Sequence, residues 1–149
     1  SSLNHLYREV VLDHSQHPRH HGALHASTDQ VELRNPTGGD VIDVQAQIKD
    51  GVITDLAFDG SGCTISQASA SMMTTVLIGQ PVDHARELIL NFSNLITGKE
   101  IDAKMEDELE DAAVIGSVAE FPTRIKCAAL AWHALDELLD KKGAAAKDD

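Results

Sequence analysis

The sequence predicts an α+β fold, in which a small antiparallel sheet of about three strands has helices packed on one face. Apolar and polar residues alternate over residues 42–58, which is the period of a half-buried strand. Apolar residues at helical spacing dominate the N-terminus and most of the chain after residue 63. A run of strands followed by a run of helices is typical of a sheet covered on one face.

The first half of the chain supplies one helix and the sheet. Apolar residues from Leu3 to Val11 recur at helical spacing before Pro18, which predicts an amphipathic first helix. Residues 42–48 and 52–58 predict two strands, and Asp50-Gly51 between them is a hairpin signal, because glycine accepts positive φ at no steric cost. Residues 31–34 predict a third strand.

The second half predicts three helices and an acidic connection. One helix starts at Thr64, which has capping-box spacing to Gln67, and ends near Gly79. The next covers residues 82–98, and the last begins at Phe121-Pro122 and ends at Gly143. The acidic residues 99–111 between them indicate a solvated connection or an exposed short helix.

Length and composition fit a single domain at residues 1–142, followed by a disordered tail at 143–149. A chain of 149 residues can bury a core without disulfide bonds, and 42% of its residues are hydrophobic. Only 3% are aromatic, so we expect a core of aliphatic side chains and methionine. Beyond Gly143 the chain contains only Ala, Lys and Asp.

The charge of the chain excludes several classes of partner. A formal net charge of −12 repels nucleic acid and anionic lipid. No apolar run approaches the roughly 18–20 residues of a membrane helix, so we expect a cytoplasmic protein with no membrane partner. In that compartment the two cysteines are expected to be free thiols or metal ligands rather than a disulfide.

Three residues with metal-binding or reactive side chains stand at the ends of predicted elements. Asp40 precedes the first long strand, Cys63 lies between a strand and a helix, and Cys127 lies near the start of the last helix. Helix N-termini favour a thiolate over a thiol, and Arg124 and Lys126 add positive charge beside Cys127. Spacing alone leaves open that both cysteines are buried apolar residues and that Asp40 is a turn residue.

The histidines give a weaker signal. None shows the helical spacing with a carboxylate base that zinc hydrolases use, so solvated or capping roles are expected. His14 and His17 are retained only as candidates for a further metal ligand. Met72 and Met73 are interpreted as core residues.

Four ordered motifs over nearly the whole chain resemble those of the SufU/IscU family of iron–sulfur cluster assembly proteins. They are Leu6 to His14 with His17-Pro18-Arg19, Asn35-Pro36-Thr37 with Gly39-Asp40, Gly60 to Thr74, and Phe121 to Trp132. Lys126 before the last cysteine and the acidic segment between the two cysteine motifs are similar to the SufU branch.

The resemblance implies a site of three cysteines and one aspartate. The matching positions are Asp40, Cys63 and Cys127 as metal ligands, with Cys63 and Cys127 as the catalytic thiols, and Gly38 replaces the first family cysteine. Zinc is the implied metal, with iron or a [2Fe–2S] cluster as a transient alternative. The implied partners are a SufS-type cysteine desulfurase, which donates persulfide sulfur, and other cluster-assembly proteins.

Gly38 is the residue on which the functional hypotheses depend. A tetrahedral metal held by Asp40, Cys63 and Cys127 has an open fourth position, and sulfur acceptance is expected to be impaired. The chain is then a sulfur acceptor or scaffold rather than a stand-alone enzyme. The alternative is a catalytically inactive module that binds metal or docks on the desulfurase. Metal-dependent hydrolysis is disfavoured, because no general base is evident.

Overall fold

A computed structural model describes the backbone of residues 2–148 and the side chains of residues 5–142. It confirms the α+β fold. The elements in chain order are α1 (Ser2–Gln16), β1 (Asp29–Arg34), β2 (Val41–Lys49), β3 (Val52–Ser61), α2 (Thr64–Leu77), α3 (Val82–Ile96), α4 (Ala103–Glu108), a 3₁₀ helix (Glu110–Glu120) and α5 (Pro122–Asp148). Within residues 2–148, every helix is too short or too polar to cross a membrane.

The three strands form an antiparallel sheet in the order β1-β2-β3. Asp50 and Gly51, at φ 52° and 75°, connect β2 to β3, which confirms the hairpin turn that the sequence predicts. The register shifts at Gln47 and Ile48, where a bulge lies next to this turn.

The alternation in β2 places one apolar face against the helices. Its fully or nearly fully buried positions are Ile42, Val44, Ala46 and Ile48. Helix α5 packs against β1 and β2, and α2 packs against β3. Trp132 of α5 stacks on Phe92 of α3 with ring centroids 3.9 Å apart, and its indole N–H donates to Ser69 Oγ at 3.0 Å. The Trp132 side chain thus joins α5 to both α3 and α2.

The acidic connection is only partly as the sequence predicts. Helix α4 contains no buried residue, which fits an exposed short helix. From Glu110 onward, however, the chain forms an unpredicted 3₁₀ helix with one buried face. Its buried positions are three residues apart, which matches the three-residue turn of a 3₁₀ helix, and they continue the spacing from the buried residue just before it: Leu109, Ala112, Ile115 and Val118.

The last helix is longer than the sequence predicts. Helix α5 runs to Asp148, so it continues past Gly143, where the sequence pattern ended it. Glycine inside a helix costs about 1 kcal/mol relative to alanine, and the alanines that follow are the best helix formers. The domain boundary at residue 142 and the disorder of residues 143–149 remain predictions.

His14 is buried, whereas the sequence predicts solvated or capping roles for the histidines. It is 1% exposed, its Nδ1 lies 2.8 Å from Ser71 Oγ, and its Nε2 lies 2.9 Å from Asp111 Oδ2. Since both ring nitrogens are engaged, His14 is unavailable as the additional metal ligand that the sequence analysis retained.

Candidate metal centre

Three separate segments bring Asp40, Cys63 and Cys127 together. Asp40 lies in the loop between β1 and β2, Cys63 immediately precedes α2, and Cys127 lies in the second turn of α5. One ligand atom from each, a carboxylate oxygen and two Sγ atoms, lies within 4.8 Å of the others. The sequence predicts that these three side chains meet, and they do. Their roles as ligands and as catalytic thiols remain predictions.

The Asp40 carboxylate is the centre of the cluster. It is 3% exposed, and its Oδ1 accepts a hydrogen bond from the Cys63 backbone N–H at 2.9 Å. Its Oδ2 accepts from Cys127 Sγ at 3.2 Å and from Asn35 Nδ2 at 3.3 Å. A buried carboxylate is costly unless hydrogen-bonded, and here both oxygens have donors.

The two thiols differ in exposure. Cys63 is exposed at the N-cap of α2, whereas Cys127 is half-buried. Burial, followed by the hydrogen bonds to Asp40 and Cys63, raises the pKa of Cys127 to about 12. Arg124 and Lys126 were expected to favour the Cys127 thiolate. That expectation is wrong for the metal-free protein, because desolvation and the neighbouring acidic groups outweigh these cations.

Glycine at position 62 is required by the close approach of Asp40 to the start of α2. A Cβ there would lie 2.6 Å from Asp40 Oδ1 and would also collide with Ser66 Oγ. Any side chain would therefore displace the carboxylate from the Cys63 N–H. Gly62, which lies in the Gly60 to Thr74 motif that resembles the family, is thus part of the site.

Gly38, by contrast, could carry a side chain. Its φ lies outside the left-handed region, and a Cβ would lie 3.0 Å from Asn35 Nδ2 and 3.2 Å from Asp40 Oδ2. These contacts are tight but not prohibitive if the Asn35 side chain shifts by a few tenths of an ångström. A cysteine at this position would therefore adjoin the cluster.

One further residue borders the site, and the sequence did not single it out as a site residue. Asn35 is 5% exposed and contacts both Asp40 and Cys127. The signal for Asn35 was its place at the end of a strand, two residues before Thr37, where an Asx turn forms.

The donor set fits a tetrahedral zinc ion. Two thiolates and one carboxylate are ligands that zinc takes, and zinc's ligand atoms lie about 3.5–3.8 Å apart in a tetrahedron. Cys127 Sγ and Asp40 Oδ2 are 3.2 Å apart, and no two of the three ligand atoms are more than 4.8 Å apart, so this spacing is within reach of side-chain rotation. Asp40, Cys63 and Cys127 would hold the ion. In residues 5–142 no histidine joins this group, so a tetrahedral ion held by these three residues would have one position for a further ligand.

Sheet, helices and cluster together define a small α+β protein with a thiol–carboxylate cluster that could hold a metal ion. Residues 6–141 match the family described as the NifU-like N-terminal domain. The chain belongs to this family, and the resemblance to SufU and IscU proteins that the sequence analysis drew is confirmed.

Relatives with assigned functions cover almost the whole chain. It is 48% identical over 141 residues to the iron–sulfur cluster assembly scaffold protein IscU of Streptococcus pyogenes serotype M1, covering 95% of this chain and 87% of the relative. It is 39% identical over 142 residues to the zinc-dependent sulfurtransferase SufU of Bacillus subtilis (strain 168), covering 95% of each.

A solved structure agrees with the fold. It is described as an iron–sulfur cluster assembly scaffold protein for the SUF system, from Fervidobacterium islandicum AW-1. It is 32% identical, covers 91% of this chain and 98% of its own, and superposes with a TM-score of 0.83. The chain is thus a homologue of cluster-assembly scaffolds and of a zinc-dependent sulfurtransferase.

Proposed function

We propose that this chain is a cytoplasmic iron–sulfur cluster assembly protein that binds zinc at Asp40, Cys63 and Cys127 and docks on a SufS-type cysteine desulfurase. It accepts persulfide sulfur there or scaffolds a nascent cluster, which it passes to other cluster-assembly proteins. Sulfur acceptance is weaker than in a chain with a cysteine at position 38.

The observation that carries the proposal is the convergence of the three side chains in this family's fold. Asp40, Cys63 and Cys127 come from segments 23 and 64 residues apart, yet their ligand atoms lie within 4.8 Å. Two thiols beside a buried carboxylate are a rare arrangement for a purely structural core. The zinc-dependent sulfurtransferase among the relatives supports zinc as the metal.

Cys63 is the better placed of the two thiols for sulfur transfer, because it is exposed and Cys127 is half-buried. Its thiolate attacks the terminal sulfur of the desulfurase persulfide. The new S–S bond forms at Cys63 as the old one breaks, and the desulfurase cysteine leaves as a thiolate, so no net oxidation occurs. A bound zinc ion would supply positive charge that keeps the thiols deprotonated.

Gly38 limits this chemistry in two ways. The cluster lacks a thiol that is not needed to hold the metal, so a transfer at Cys63 competes with metal binding. The loop also loses a side chain that would contact Asn35 and Asp40, and a glycine has more conformational freedom to lose when the loop is ordered.

The experiment mixes the chain with a SufS-type desulfurase, cysteine and a reductant, and measures alanine formation. We expect Gly38→Cys to stimulate the desulfurase severalfold more than the unchanged chain. The matched control is Gly38→Ser, which adds the same Cβ and a polar atom without a thiol and should resemble the unchanged chain. If none of the three proteins binds the desulfurase or changes its rate, the proposal is wrong.

Gly38 also favours a second candidate, a module that binds metal or docks on the desulfurase without transferring sulfur. Trapping with an alkylating agent and mass spectrometry separates the two, because only an acceptor gains 32 Da (about one sulfur atom) at a cysteine. Desulfurase binding without this mass shift supports the second candidate. Equal stimulation by the unchanged chain and by Gly38→Cys contradicts it.

A further inference from the structure

Asn35 is the residue that links the loop after β1 to the metal-binding cluster. Its backbone N–H donates to the Asp40 carbonyl at 2.8 Å, and its own carbonyl accepts from the Gly39 N–H at 3.2 Å. These two bonds close residues 35–40 into a compact loop. The Asn35 side chain, 5% exposed, therefore starts from a fixed backbone position next to Asp40.

The hydrogen bonds of the Asn35 amide decide which way it points. Its Oδ1 accepts from the Thr37 N–H at 3.2 Å and from Thr37 Oγ1 at 3.0 Å. A flipped amide would turn its NH₂ group toward the backbone donor of Thr37 and its oxygen toward the Asp40 carboxylate, so both contacts would be repulsive. The NH₂ group is consequently held toward the cluster.

The two N–H bonds of that group face two acceptors. Asn35 Nδ2 lies 3.3 Å from Asp40 Oδ2 and 3.9 Å from Cys127 Sγ, within reach of a weak N–H···S contact. The other carboxylate oxygen is held by the Cys63 N–H at 2.9 Å. Asp40 is thus fixed from both sides, by Asn35 and by the start of α2.

We propose that Asn35 is a positioning residue for the metal centre: its amide orients Asp40 and donates to Cys127, so that both present their ligand atoms to one ion. Two thiolates and a carboxylate around a divalent ion leave one net negative charge, which an N–H donor stabilises. Asn35 is not itself a ligand, because Thr37 occupies its oxygen. This inference rests on the proposed metal binding at Asp40, Cys63 and Cys127.

The test is a titration of the full chain with Co²⁺, followed by displacement with Zn²⁺. Thiolate ligation gives Co²⁺ a sulfur-to-metal charge-transfer absorption, which a merely structural residue would not alter in a folded protein. The variants are Asn35→Asp, which keeps the shape and the bonds from Thr37 but puts an oxygen against Asp40, and Asn35→Ala. Asn94→Asp on α3 is the matched control.

We expect both Asn35 variants to bind Zn²⁺ about 10–100-fold more weakly, with an altered Co²⁺ spectrum at saturation. The Asn94 control should match the unchanged chain in both readouts. Circular dichroism of the metal-free proteins checks folding, and if Asn35→Asp does not fold, Asn35→Ala decides.

The outcomes separate this inference from the proposed function. If the unchanged chain gives no thiolate absorption with Co²⁺, the proposed metal binding fails and Asn35 has no such role. If the unchanged chain binds and a folded Asn35 variant has the same affinity and spectrum, only the role of Asn35 is overturned.

Discussion

The pKa of Cys127 is set by its surroundings in the folded protein and not by the charges of its sequence neighbours. Sequence neighbours place Arg124 and Lys126 close to the thiol, but Arg124 lies over the Phe121 ring, 4.7 Å from its centroid. The Cys127 thiol instead donates to Asp40 Oδ2 and is partly buried. The metal-free cluster therefore holds a proton that a metal ion must displace.

The raised pKa of Cys127 predicts a pH dependence for the stability of the metal-free protein. The ordinary thiol pKa is 9.0 and the folded value is about 12, so between these values the unfolded chain ionises while the folded protein stays protonated. The stability that Cys127 contributes is complete below pH 9 and declines as pH rises toward 12.

This dependence is measured by urea unfolding in a chelator at several pH values, with Cys127→Ser as the control that lacks the thiol. We expect the unfolding free energy of the unchanged chain to fall relative to that of Cys127→Ser as the pH rises above 9. A difference that stays constant between pH 8 and 10.5 would contradict the assignment.

At the scale of elements, His14 joins α1, α2 and the 3₁₀ helix. Its ring contacts Ser71 on α2 and Asp111 on the 3₁₀ helix, and Ser71 Oγ also accepts from the Arg19 N–H at 2.8 Å. These contacts hold α1 against α2 and the 3₁₀ helix.

Removing the carboxylate of Asp111 should weaken that junction. Asp111→Ala leaves His14 Nε2 buried without its partner, so we expect a loss of about 1–2 kcal/mol in unfolding free energy. The buried Trp132, the single tryptophan of the chain, reports unfolding by fluorescence. Asp107→Ala on the exposed face of α4 is the control and should change stability by less than about 0.5 kcal/mol. Equal effects of the two substitutions would show that the His14 contact is unimportant.

At the scale of the whole molecule, a metal ion held by Asp40, Cys63 and Cys127 would be a crosslink. Its three residues come from the β1–β2 loop, the start of α2 and the start of α5, which are brought together only in the folded protein. An ion that binds the folded state and not the unfolded chain stabilises the fold by mass action.

Zinc should therefore raise the melting temperature. At a free concentration about 100 times the dissociation constant, the gain is about 2.7 kcal/mol, or about 5–10 °C for a chain of this size. Scanning calorimetry with zinc and with a chelator measures it, and a Cys63→Ser, Cys127→Ser double variant is the control. An equal shift in the double variant would place the bound zinc elsewhere.

Much of the molecule was determined by local sequence patterns. The alternation in β2 and β3, the Asp50-Gly51 turn and the starts of α2 and α5 follow from side-chain period and backbone preference, which are properties of neighbouring residues. The ordered motifs gave Asp40, Cys63 and Cys127 before any geometry was known. The sequence pattern could also have predicted the 3₁₀ helix, because its buried residues recur at every third position.

Only the tertiary structure decided how the site is held. Two donors to Asp40 come from Cys63 and Cys127, one partner of His14 lies 97 residues away, and the closeness of Gly62 to Asp40 requires that no side chain be present. Such contacts join residues that are distant along the chain, so no local pattern contains them. Burial likewise depends on what packs above a residue, and it set the ionisation of Cys127 against the charges of its sequence neighbours.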